Sequence, residues 1–418
     1  MTIVNWIVGI AQGGRLERSR TLLAAIVATN LGALVVFKYL GLLDESARGL
    51  AGALGLAATW PVVHIVLPIG LSFFTFEFIH YQVDLFRGHP PIRDPLRFAL
   101  FPAFFPTQIA GPIKRFQDFN RQVALLPRFD PALALEGVEL IALGLFKKVV
   151  LADNLLPVAD AVFRHPQSVG TLDAWAGLIA FSFQIYMDFS GYTDIGRGSA
   201  QLLGYTVPIN FRSPYLASSL RDFWRRWHIS LSSWLRDYLY IPLGGSHKSE
   251  ARTRLNLMIT MCLGGLWHGA AWHFLFWGAG HGGILAVERF AASHGLQIPT
   301  VPRWARVGLA WIGTQVAVLA LWSLFRAENL GLAATLWSKA LTLAPPAGLP
   351  VATALVPIVA LGVLIAEFAP YRLKPRLLVL AAVPAPLGSA TYIVALGAAA
   401  AYSVVVNGST HSFIYFQF

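Results

Sequence analysis

The sequence predicts an all-α polytopic membrane protein, with roughly nine to eleven membrane-embedded helices. Hydrophobic residues make up 56% of the 418 and charged residues 13%, and the mean hydropathy of +0.58 is that of a membrane protein rather than a soluble domain. Stretches free of Lys, Arg, Asp and Glu recur at 21–37, 49–76, 255–287, 307–325, 340–366 and 377–418, and about 20 apolar residues suffice to span the hydrocarbon. No strand alternation at hairpin spacing is present, and the Gly- and Pro-punctuated apolar runs are far too long for the strands of a membrane barrel. No internal repeat or low-complexity linker divides the chain, so 1–418 reads as one domain.

From the front, the basic cluster Arg15, Arg18 and Arg20 precedes the first apolar run without a small-residue cleavage site, so that span is expected to be retained. His64 lies in the second run and is expected to be a packed residue. His80 and Asp84 follow four apart, able to pair on one helix face, with Glu77 and Arg87 beside them as a structural polar belt. Shorter apolar runs at 97–113, 137–146 and 174–187 are broken by Pro, Gly or paired Lys, and read as buried, re-entrant or interfacial pieces. Asp188 and Asp194 come next. Carboxylates are costly in or near a membrane, so both are expected to bond neighbouring helices or cations. Cys262 is the only cysteine, which excludes an intramolecular disulfide and any Cys-based metal site, and no metal is expected.

Net charge is +11, and eight Lys or Arg fall between 212 and 254 against Asp222, Asp237 and Glu250. The positive-inside bias places that loop in the cytoplasm. The excess also suits lipid head groups or a phosphorylated donor, and nucleic acid is not needed to explain it. Within the loop, Leu220, Phe223, Trp224, Trp227, Leu231, Trp234, Leu235 and Tyr238 recur at helical spacing opposite a charged face, with Ser218 or Ser219 as N-cap. One amphipathic helix over 218–240, lying along the membrane interface, is expected. His228 falls at the edge of its apolar stripe, free to reach inward or to stay wet, and between Trp and Arg the ordinary reading is a surface residue.

The run 255–287 is long enough to cross a bilayer and turn, yet it holds His268, His273 and His281. An ionisable group at that depth is a functional hypothesis by default. Gly264, Gly265, Gly269, Ala270 and Ala271 surround His268. They fit either a cavity beside a buried imidazole or a close helix contact in which the histidine bonds a carbonyl. His273 and His281 read as packed core residues. Nucleophile elbow, phosphate-binding loop, dinucleotide fingerprint and zinc-helix patterns are missing, so most familiar enzyme classes lack support.

RDFWRRWHISLSSWLRDYLYIPLGG at 221–245 and LGGLWHGAAWHFLFWG at 263–278 resemble the membrane-bound O-acyltransferase family, with a signature core over about 67–288. Within it, LPIGLSFFTFEFIHYQVDLFRG (67–88), FFPTQIAGPIKR (104–115), GLFKKVVLADN (144–154), QIYMDFSGYTDIGRG (184–198), FRA (325–327) and FIYFQF (413–418) are similar to the bacterial alginate-type polysaccharide O-acetyltransferases. The resemblance implies a ring of helices, with interfacial and re-entrant pieces, around a central tunnel. There a cytoplasmic thioester donor and an acceptor from the other side meet. The family's two signature histidines fall on His228 and His268, with His268 as the base, and Trp267, Gly269, Trp227, Asp188 and Tyr186 are candidates to line the channel. The resemblance further implies an inner-membrane, multi-pass enzyme with no bound cofactor. Its donor is acetyl-CoA or an acyl carrier, its acceptor a polysaccharide, and its partners an extracytoplasmic acetyltransferase protein and membrane lipids. D-alanyl transfer from a carrier protein to teichoic acid is a related alternative, and a glycan or lipid transporter and a scaffold are non-enzymatic ones. Alginate-type members usually carry further helices ahead of the segment matching Asn30 to Tyr39, and this chain is expected to be shorter at its N-terminus.

Overall fold

The computed structural model describes residues 1–13, 19–57, 65–295, 302–343 and 385–407, with a few single residues between them. Every regular element among the described residues is helical, in agreement with the all-α expectation. In chain order the helices are α1 (Thr2–Gly13), α2 (Arg20–Leu34), α3 (Leu40–Ala53), α4 (Leu71–Arg87), α5 (Pro95–Ala103), α6 (Phe116–Leu125), α7 (Pro131–Leu145), α8 (Asp153–Arg164) and α9 (Thr171–Leu202). Then come α10 (Leu220–Arg226), α11 (Ile229–Leu235), α12 (Glu250–His268), α13 (Trp272–Ser293), α14 (Arg303–Arg326), α15 (Leu330–Leu341) and a helix over Ala385–Asn407. Arg20–Ala53, Arg303–Arg326 and Gly388–Val406 are long and apolar enough to cross a membrane. His64, the FIYFQF run and most of 340–366 lie outside the described residues.

Helix α9 is the central post. Its 32 residues extend about 48 Å at 1.5 Å per residue. The apolar stretch 174–187 is therefore not a short piece, as expected, but part of one long helix. Its burial does agree, and the polar groups explain why hydropathy hides it: Gln184, Asp188, Ser190, Thr193 and Asp194 all face protein rather than lipid. Two heptad-spaced glycine pairs let α7 and α9 touch backbone to backbone. A Cβ at Gly198 would lie 2.3 Å from the Gly137 carbonyl, and one at Gly144 2.5 Å from that of Gly191. Beyond α7 a π-helical turn, Phe146–Ala152, aims its paired lysines at α9. Lys147 Nζ lies 2.7 Å from Asp194 Oδ2 and Lys148 Nζ 2.8 Å from Asp188 Oδ1. Both carboxylates thus find the cations that their burial required.

The charge-free stretch 255–287 turns back on itself as a pair of helices. Ser249 N-caps α12, accepting from the Arg252 amide, and α13 returns alongside after a short turn. Glycine allows the close approach here too: a Cβ at Gly265 would sit 2.2 Å from the Phe274 carbonyl, and one at Gly278 2.3 Å from that of Met261. Of the two readings left open for this small-residue patch, close helix contact describes Gly265 and Gly278.

The single amphipathic helix expected over 218–240 is broken. Ser219 is the N-cap, as expected, and the Glu288 carboxylate accepts from the amides of Leu220 at 2.6 Å and Arg221 at 3.1 Å. However, α10 ends at Arg226. His228 adopts the left-handed conformation at φ +43°, after which α11 and a π-helical turn, Arg236–Tyr240, continue the chain. Asn210 holds the kink: its carbonyl accepts from the Ile229 amide at 2.9 Å, and its side-chain oxygen from the Ser230 amide at 3.2 Å and hydroxyl at 2.6 Å. Phe223, Trp227, Leu231 and Trp234 are buried in the main core, so the segment is built into the protein. Helical periodicity records which side chains point inward, and a two-residue break, Trp227 extended and His228 left-handed, leaves that pattern almost intact.

Candidate active site

His268 is the last residue of α12, where unsatisfied carbonyls accumulate. Those carbonyls are gripped from the π-helical turn Val35–Tyr39 between α2 and α3. The Lys38 ammonium donates to the Trp267 carbonyl and, at 3.3 Å, to that of His268, while the Tyr39 hydroxyl donates to the Leu266 carbonyl at 2.7 Å. A cation at a helix C-terminus is electrostatically favoured as well. Neither residue stood out in the sequence. The one available signal was Lys38 itself, the charge that ends the run 21–37.

His228 comes to the same place by the kink. Its side chain is fully buried, His268 is 8% exposed, and the two rings lie 6.4 Å apart between centroids. Neither ring nitrogen of His228 has a hydrogen-bond partner among the described residues. The surface role that is ordinary for an interfacial histidine is therefore excluded. Aromatic rings wall the pair. Phe189 lies 4.8 Å and Trp267 6.1 Å from His228, while Trp267 and Trp277, each at 5.1 Å, and Phe325 at 5.4 Å surround His268.

The other sequence-derived candidates are placed differently. Trp267 touches both histidines. Trp227 stacks on Phe223 at 5.6 Å and meets Trp322 at 4.9 Å, with Tyr186 packed against it at 5.9 Å, so these two line the layer behind His228. Asp188 directs its carboxylate to Lys148. Gly269 lies under the Phe274 ring, where a Cβ would come within 1.9 Å of a ring carbon. His80 and Asp84 do not pair. His80 Nε2 accepts from the Phe116 amide at 3.3 Å, whereas Asp84 takes the Tyr238 hydroxyl at 2.6 Å and Arg87 at 3.3 Å. Glu77 instead forms a buried ion pair with Lys114 at 2.6 Å. His273 Nδ1 is 3.0 Å from the Leu324 carbonyl, and His281 Nδ1 accepts from the Trp224 indole at 3.2 Å, so both are bonded core residues. Part of the basic excess serves local pairs, Arg226 with Asp222 at 2.9 Å and Arg236 with Asp237 at 2.7 Å, and leaves Arg221 and Arg225 exposed. Among the described residues, no three His, Cys, Asp or Glu are grouped to hold a metal ion.

A family model for membrane-bound O-acyltransferases matches residues 62–325, a span that contains both histidines and their aromatic wall. The chain belongs to the membrane-bound O-acyltransferase family. Similarity to individual proteins adds to this. A probable alginate O-acetylase of Azotobacter vinelandii is 42% identical over 341 residues, covering 80% of this chain and 66% of that protein. A peptidoglycan O-acetyltransferase of Helicobacter pylori is 39% identical over 302 residues, 64% of this chain and 55% of the relative. A teichoic acid D-alanyltransferase of Streptococcus thermophilus is 30% identical over 227 residues, 51% and 55% of the two chains. The chain thus spans between about half and two thirds of the length of these O-acyltransferase relatives. As a member of a membrane family with three apolar helices of spanning length, it is a membrane protein.

Proposed function

We propose that the chain is an O-acyltransferase of the bacterial cytoplasmic membrane, read as one membrane-embedded domain over 1–418. It takes acetyl from acetyl-CoA on the cytoplasmic side and passes it toward an extracytoplasmic polysaccharide, with His268 as general base. The observation that carries this reading is the pair of buried imidazoles, 6.4 Å apart, in a chain of this family. A hydroxyl is a weak nucleophile until a positioned base takes its proton, assistance that contributes about 10²- to 10⁴-fold. Imidazole is suited to that exchange near neutral pH. In the transfer, the acceptor oxygen bonds the thioester carbonyl carbon while its proton moves to His268. The carbon–sulfur bond then breaks, and the departing thiolate takes the proton back, leaving an ester and a free thiol. His228, whose ring nitrogens both lack a partner among the described residues, hydrogen-bonds the acceptor hydroxyl in this reading and holds its oxygen against the thioester carbon. Trp267 packs against both imidazoles, and Trp227 backs His228 from the layer behind it.

Acetyl is favoured over D-alanyl because similarity to the Azotobacter O-acetylase is 42% over 80% of the chain, against 30% over 51% for the D-alanyltransferase. The exposed Arg221 and Arg225 support a phosphorylated donor such as coenzyme A. An extracytoplasmic acetyltransferase protein completes delivery to the polymer. The test is transfer of radiolabel from acetyl-CoA to envelope polysaccharide in membrane vesicles containing wild type, His268→Ala or His228→Ala at matched expression. Label in wild type that falls at least about 100-fold in His268→Ala is expected. Equal label in all three would remove His268 as the base. Label supplied only by a charged carrier protein would replace acetyl with the D-alanyl reading.

A further inference from the structure

Resting on that acyltransfer reading, we infer that Trp277 is a further catalytic residue, whose indole N–H donates to the acyl carbonyl oxygen as it gains charge. The indole N–H is a donor only, and a buried donor without an acceptor is costly. Trp277 is 1% exposed, and its Nε1 has no hydrogen-bond partner among the described residues. Its neighbours explain why none is at hand. The ring lies perpendicular to that of His268 at 5.1 Å and packs against Phe325 at 5.3 Å, Trp322 at 5.9 Å and His281 at 4.7 Å. His281 offers no acceptor, since its Nδ1 already receives the Trp224 N–H and its proton therefore sits on Nε2.

The shell around His268 thus holds a buried donor, the Trp277 N–H, that no acceptor among the described residues satisfies. What completes it is a group that brings lone pairs, and in acyl transfer that group is the thioester carbonyl. As the acceptor oxygen bonds the carbonyl carbon, the π electron pair moves onto the carbonyl oxygen, and the proton lost by the acceptor goes to His268. The negative oxygen is held until the carbon–sulfur bond breaks and the thiolate recovers that proton. A donor fixed beside the base, in a water-poor aromatic shell, stabilises this oxyanion without reorganising. Trp322 makes the comparison sharp. Its Nε1 likewise has no partner among the described residues and it is 2% exposed, yet it packs on Trp227 and Trp277 rather than on His268.

The test compares Trp277→Phe and Trp322→Phe in the full-length protein, by initial rates of radiolabelled acetyl transfer from acetyl-CoA in vesicles together with thermal midpoints in detergent. Trp277→Phe is expected to lower kcat about 10²- to 10³-fold, the usual consequence of losing one oxyanion donor, with KM for acetyl-CoA changed less than about threefold. Trp322→Phe is expected to stay within about threefold of wild type. Replacing Trp277 by β-(3-benzothienyl)alanine, which exchanges only the N–H for sulfur, separates ring from donor should the Phe variant fold poorly. Loss of kcat with that isostere supports the assignment, and wild-type rate with it overturns the assignment. Equal losses at Trp277 and Trp322 also overturn it. A wild type that transfers no acetyl sinks the acyltransfer reading and this inference with it, whereas an active wild type and an equally active Trp277→Phe sink the inference alone.

Discussion

The two buried histidines reach one chamber by opposite means. His268 stands on regular helix and is located by what grips the end of that helix, the ammonium of Lys38 and the hydroxyl of Tyr39 on the carbonyls of residues 266–268. His228 stands on a break, in a backbone conformation unfavourable for any side chain with a Cβ, and is located by Asn210 bonding the two residues that follow. A helix end spares the backbone strain but borrows its partners from a segment about 230 residues away in the chain. A kink supplies a sharp change of direction at the residue itself, at the cost of strain. Two ring positions that must agree closely are thus fixed by independent devices, one tertiary and one largely local.

Of the two anchoring devices, the one at the kink gives the larger expected perturbation when removed. Asn210→Ala leaves the Ser230 amide and hydroxyl without their acceptor, a loss of about 1–3 kcal/mol. It also frees His228 to turn away, and acetyl transfer in vesicles is expected to fall at least about tenfold. Thermal unfolding in detergent alongside initial rates would check both, and an unchanged rate would mean that the kink holds its shape without Asn210. Lys38→Met keeps the aliphatic stem and removes the charge at the α12 terminus. It should cost about 0.3–2 kcal/mol of stability and lower the rate several-fold by loosening His268. If Lys38→Met alters neither while Tyr39→Phe alters both, the hydroxyl rather than the ammonium holds that end. The smallest effect isolates backbone strain. His228→Gly should unfold at a higher temperature than His228→Ala, by an amount corresponding to about 1 kcal/mol, because glycine alone accepts positive φ without penalty. The same pair of substitutions at His268, the last residue of α12 and not at positive φ, should lose that glycine advantage, so the two variants unfold at similar temperatures.

The contrast also shows where pattern reading succeeds and where it fails. The 255–287 hairpin was legible because lack of charge over that length has few physical solutions, and the same was true of Asp188 and Asp194, whose burial demanded cations that Lys148 and Lys147 supply. The long run of α9 was misread as short because its inward polar residues lower its hydropathy, although buried groups are invisible to lipid. The break at His228 was hidden because two non-helical residues shift the phase of a helix without erasing its apolar face. Lys38 was hidden because its partners are backbone carbonyls, which every sequence has and none displays.

By itself, then, the chain determined that it is helical and membrane-embedded, which polar residues need partners inside, and through WHIS and WHGA which two imidazoles stand out. The first two follow from local composition and from the cost of placing charge or bare backbone in lipid, and the two imidazoles stand out through the resemblance to the family. Only the tertiary structure decided that His228 points inward and that the glycines of α12 and α13 are spent on helix contact. It also decided that Lys38, in the turn after α2, grips the end of α12 and that the Trp277 N–H meets no acceptor among the described residues. Each of those depends on which distant backbone or ring arrives alongside, and close packing between far-separated segments is not encoded in any local pattern.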